Sequence, residues 1–208
     1  MTIQDIADKA LRQLNDVVER DWFDTELIPY IVLALAEIVT RNPKAYPVAV
    51  TLSLVAGAIQ SIGTTYLRLL DVVCNITGST TPGRAATFMP KEHMDSALPE
   101  WMTYTANATV RHVVRDQYDA QALYVFPPQP STSMGKLKVV LSQIPTITAL
   151  TDTFPLDDDY APAVVDYTVY RALMEESQGK DNTERAKQFL SKFYNSLGLR
   201  DATAEGAK

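Results

Sequence analysis

The sequence predicts an α+β fold: a helical bundle formed by N- and C-terminal helices, with a β-rich middle lobe. Three observations predict it. Residues 160–198 spell out two complete helices with start and stop signals, and the first forty or so residues hold two more with helical periodicity. Between them the apolar residues switch to a period of two, broken by clusters of Gly, Pro, Ser and Thr. The expected division is a helical core from 1–44 and 157–198, a β-rich lobe from 45–156 and a flexible tail at 199–208.

Thr2 and Asp5 have the spacing of a capping box, and Ile3, Ile6, Ala10, Leu11 and Leu14 follow on one helical face. That helix should end near Asn15. After a linker containing Trp22, Glu26 to Arg41 reads as a second helix, with Asp24 or Thr25 near its cap and Pro29 confined to the first turn. Ile31 to Ala36 is apolar all round, so this helix should be buried on several sides.

Ala45 to Leu67 carries no charge, and about 20 apolar residues would suffice for a membrane span. The pattern argues otherwise. Val48, Val50, Leu52 and Leu54 alternate with smaller residues, and Gly57, Gln60, Ser61 and Gly63 then break the run, which reads as a strand and a turn. Tyr66 to Ile76 returns as a second strand or a short helix. Thr77 to Gly83 reads as a loop, Ala85 to Met89 as an edge strand and 90–97 as a short helix. Trp101, after the turn Leu98-Pro99-Glu100, should anchor a loop against a core. Thr109 to Arg115 and Ala122 to Phe126 make a hairpin, whose second strand Pro127, Pro128 and Pro130 should stop; Lys136 to Ser142 can add a third strand.

Asp157, Asp158, Asp159 and Pro162 announce a helix running to about Ser177. Its apolar stripe, built on Val164, Tyr167, Leu173 and Met174, with Val165, Val169 and Ala172 beside them, is too broad for packing on one side, which makes this helix central. Gly179 should end it, and Asp181 with Glu184 makes a capping box for the next. There Ala186, Phe189, Leu190, Phe193 and Leu197 recur at three and four, and Gly198 should close the helix.

Chemistry is sparse. A net charge of −6 argues against gripping nucleic acid through its phosphates. The single Cys74 excludes an intrachain disulfide framework and reads as a buried apolar thiol in a reducing compartment, and the N-terminus does not read as a secretory signal. No Gly-rich phosphate loop or nucleophile elbow occurs. His93 and Asp95 lack the further ligands of a zinc site, so His93 reads as a solvated loop residue and His112 as a half-exposed strand residue. Asp157 to Asp159 lack calcium-loop spacing. No catalytic, cofactor-binding or metal-ligating residue is therefore expected, and no cofactor. Trp101, Tyr118, Tyr124 and Phe126 concentrate aromatic surface around a hairpin whose edges need cover, from a partner or from the subunit's own core. Tyr118 lies in the turn.

Several stretches together resemble the head-to-tail adaptor (connector) proteins of tailed bacteriophages, of the tail tubular A type: Arg41-Asn42-Pro43, Leu54 to Gln60, Leu69 to Asn75, Leu98 to Trp101, Ala122 to Pro128, Asp159-Tyr160 and Tyr167 to Ala172. Their order and spacing carry the resemblance from about Asp24 to Gly198; it departs at Cys74, where a basic residue is expected. The resemblance implies a non-enzymatic virion protein at the neck, assembled in the host cytoplasm. It implies a homo-oligomeric ring of about twelve subunits, as closed cyclic symmetry allows, between the portal protein and a tail or nozzle protein. DNA would pass through without specific binding, and no membrane is involved. Leu199 and Arg200, in the tail that would reach the portal, join Trp101, Tyr118, Tyr124 and Phe126 as interface candidates. Another tail-completion protein, or a small cytoplasmic ligand-binding or enzymatic domain, is the alternative.

Overall fold

The computed structural model describes the backbone of residues 1–14, 24–175 and 180–205, and side chains at 1–14, 26–175 and 182–198. It is an α+β fold. The chain divides into two compact units, one of Met1–Tyr46 with Ile144–Lys208 and one of Pro47–Gln143.

The first unit is helical: α1 (Ile3–Leu14), α2 (Ile28–Arg41), α4 (Ala161–Glu175) and α5 (Lys180–Glu205). The capping box forms as its spacing predicts. Thr2 N donates to Asp5 Oδ2 at 2.8 Å, and Asp5 N donates to Thr2 Oγ1 at 3.3 Å. The next two N–H groups of α1, from Ile3 and Gln4, find the carbonyls of Asp152 and Leu150, so the helix start is tied to the segment before α4. A 3-10 turn at Asp24–Leu27 leads into α2, with Pro29 in its first turn as expected. The α4 helix packs against α1, α2 and α5 and is central, as its broad stripe predicts. Its edges differ from that stripe: Met174 is exposed, while Ala161, Ala163 and Thr168 are buried. Asp157 makes no side-chain cap; Asp158–Tyr160 forms a 3-10 turn instead. Phe193 is the buried anchor of α5, 4.9 Å from the Tyr167 ring, whereas Leu190 is only half-buried.

Two expectations fail at α5. It passes through Gly198 to Glu205, so residues 199–205 are helical rather than a tail beyond a stop. A glycine ends a helix by taking left-handed φ; Gly57, Gly63 and Gly78, in the β unit, have positive φ of 94°, 84° and 63°, but Gly198 does not. Trp22, the Gly179 stop and the Asp181 side chain lie outside the described residues.

The second unit holds eight strands and α3 (Lys91–Ala97). Sheet one has the order β1-β8-β3-β4, with β1 at Pro47–Ser53, β3 at Arg68–Thr77, β4 at Thr81–Ala85 and β8 at Lys136–Ser142. All its pairings are antiparallel. Sheet two has the order β2-β7-β6-β5, with β2 at Gly57–Ser61, β5 at Thr87–Phe88, β6 at His112–Arg115 and β7 at Ala122–Gln129. Here β5 runs parallel to β6. The predicted hairpin is β6 and β7, but β8 joins β1 and β3 in sheet one rather than the hairpin. Strand β2 replaces the turn expected after β1, and β4 replaces the loop expected at Thr77 to Gly83.

Sheet two is covered on both faces, which explains the near-continuous burial of β7. Val113 and Val125 face the core shared with sheet one, alongside Val72, Leu137, Val139 and Leu141, while Val114 and Phe126 face Met94 of α3 and Trp101.

The prolines do not stop β7, which runs through Pro127 and Pro128 to Gln129. They are accommodated because the β2 register shifts between Gly57, opposite Gln129, and Ile59, opposite Tyr124, so no ladder N–H is asked of them, while the Pro128 carbonyl accepts from Asn107 N at 2.9 Å. Cys74 is half-buried rather than buried, next to a register shift in β3. His93 is exposed, as expected, but on α3 rather than in a loop.

Candidate interaction surface

The four aromatic candidates separate. Trp101 is 1% exposed, and its indole N–H donates to Asp95 Oδ1 at 2.9 Å. Phe126 is buried, stacked on His112 with centroids 6.2 Å apart. Tyr124 is half-buried and meets Trp101 edge to face at 5.9 Å. Trp101 and Phe126 therefore pack in the chain's own core. Tyr118 is 97% exposed. Leu199 and Arg200 lie on the α5 backbone, and their side chains are outside the described residues.

One carboxylate shapes the loop that carries Tyr118. Asp116 Oδ1 accepts the backbone N–H groups of Tyr118 at 2.7 Å and Asp119 at 2.9 Å, and its Oδ2 accepts the Tyr124 hydroxyl at 2.6 Å. The Tyr124 bond first, then the two backbone donors, hold the Asp116 carboxyl below the usual aspartate value. Asp119 repeats the device on Gln121 N at 2.8 Å.

Arg115 and Gln117 line two surface cavities beside this loop. One, about 370 Å³, lies between Arg68, Leu69 and the loop; the other, about 330 Å³, lies over Phe88, Met89 and Pro90. The guanidinium sits 4.0 Å from the Phe88 ring centroid and donates to the Leu70 carbonyl. Sequence reasoning found Tyr118 but missed Asp116; the signal was an Asp two residues before the turn's tip. Among the described residues no group of three or more His, Cys, Asp or Glu could hold a metal ion, and no helix is long and apolar enough to cross a membrane.

The sequence model for SU10 adaptor proteins matches residues 1–207. The chain belongs to the SU10 adaptor protein family. The resemblance to phage adaptors is thus borne out at the level of family. No curated protein matches the chain. Among solved structures, a chain described as the neck of an empty GTA particle computed with C6 symmetry is 14% identical, with 79% of this chain and 74% of that chain covered and a TM-score of 0.29.

Three of the stretches behind the resemblance place a polar anchor in this adaptor. Asn42 reaches Tyr160 at 2.9 Å. Gln60 closes the turn before β2 through Val55 and Gly57. Asn75, 6% exposed, donates to the carbonyls of Arg84 and Val110 and accepts from Val110 N at 2.7 Å.

Proposed function

We propose that this adaptor is a non-enzymatic virion subunit that forms a ring between portal and tail, through which DNA passes. The family match over residues 1–207 carries the reading. Charge supports it. The helical unit holds 19 acidic and 12 basic residues and the β unit 6 and 7, so acidic surface is available to let DNA slide without adhering. A ring of about twelve copies is the expected assembly. Tyr118 and its flanking hollows supply a contact to a neighbour or a tail protein.

The test mixes the purified chain with its portal protein and follows mass by light scattering and shape by electron microscopy. A ring seated on the portal is expected. A monomer that ignores the portal and saturably binds a small ligand would overturn the reading.

A further inference from the structure

We propose that the sheet-one edges join neighbouring copies, β4 of one subunit pairing with β1 of the next; this rests on the ring reading. A ring contact joins two different surfaces of the same chain. Sheet one supplies two such surfaces, because β1 and β4 are its opposite edges. With four strands and every pairing antiparallel, β1 and β4 run in opposite directions, so a repeat that keeps subunit orientation sets β4 against β1 antiparallel. Sheet two does not offer this: β5 has two residues, and its parallel pairing makes it run with β2.

Strand β1 is only lightly guarded. Natural edge strands are usually blunted by charge or Pro; Pro47–Ser53 carries no charge and one Pro at its first position, whereas β4 carries Pro82 and Arg84 and has fewer backbone groups to offer, and the unpaired row left on β1 fits another extended backbone. Lys138 Nζ makes a 3.4 Å bond to the Ala49 oxygen, which a pairing strand would displace. Val50 and Leu52 pack on the core but remain half-buried, and an added strand would cover them. Charge selects the same unit. Identical copies repel least where net charge is smallest, and the β unit carries 7 basic against 6 acidic residues.

Amide hydrogen exchange on the wild-type chain, free and in the assembled ring, tests the pairing. Exchange at outward amides of both β1 and β4 should slow about 100-fold or more on assembly. Thr51→Lys should keep the free subunit's melting temperature and lose the ring. A ring, confirmed by mass, in which both strands exchange as in the free chain overturns the pairing and leaves the ring reading standing. Protection of β1 alone overturns it in favour of a different partner strand. Absence of any ring, with or without portal, overturns the ring reading itself and the pairing with it.

Discussion

Asn42 and Tyr160 lie 118 positions apart, and the Asn42 amide donates to the Tyr160 hydroxyl at 2.9 Å. The bond ties the end of α2 to the start of α4. Asn42→Ala and Tyr160→Phe should each destabilise the helical unit by about 1 kcal/mol, and the double variant should lose less than the sum. Denaturant melts of the four proteins measure the coupling; strict additivity would mean the bond contributes nothing.

Asn75 and Val110 make a second clamp, inside the β unit. Asn75→Ala leaves the Val110 N–H and carbonyl without their partner, at a cost of about 2–4 kcal/mol. Asn75→Asp should not rescue it, because the carboxylate cannot donate to the Val110 and Arg84 carbonyls. Thermal unfolding of both variants checks this.

Phe193 is fully buried in the helical unit. Phe193→Lys places an unpaired charge there, costing several kcal/mol, on the order of the whole net stability, and circular dichroism should show loss of helix.

Burial first, then the charges of Arg111 and Arg84, lower the pKa of His112 from the ordinary 6.5. The fold thus favours the neutral ring. Its contribution is present above pH 6.5 and is lost as pH falls through the lowered folded value. Melting temperatures between about pH 7 and about pH 5 should fall less in His112→Gln than in wild type.

Tyr118→Asp should leave circular dichroism and melting unchanged, since a 97% exposed side chain holds nothing in the free subunit. Attachment of tails to filled heads should be lost. Particles with normal tails would remove Tyr118 from the interface.

Local signals were the legible ones. The Thr2 and Asp5 box, Pro29 in a first turn and the β6–β7 hairpin depend on residues close in sequence, and the structure contains each. Partner choice was not legible. The pattern of Lys136 to Ser142 specifies a strand but not whether it pairs with β7 or with β1 and β3. Gly198 looked like a stop because sequence does not reveal φ. Trp101 was legible as a loop anchor against a core, but whether the aromatics around the hairpin, Phe126 among them, face a partner or the core was not, because nothing local says that α3 and the Trp101 turn cover the second face of sheet two.

The Asp116 clamp also has a kinetic consequence. If Tyr118 makes the proposed contact, a loop already held in one shape loses little conformational entropy on docking, and encounters need not wait for a competent conformer. Asp116→Ala would release the loop without removing any contacting atom of Tyr118. The competent fraction then falls, and the apparent association rate falls with it while dissociation of the formed complex stays the same.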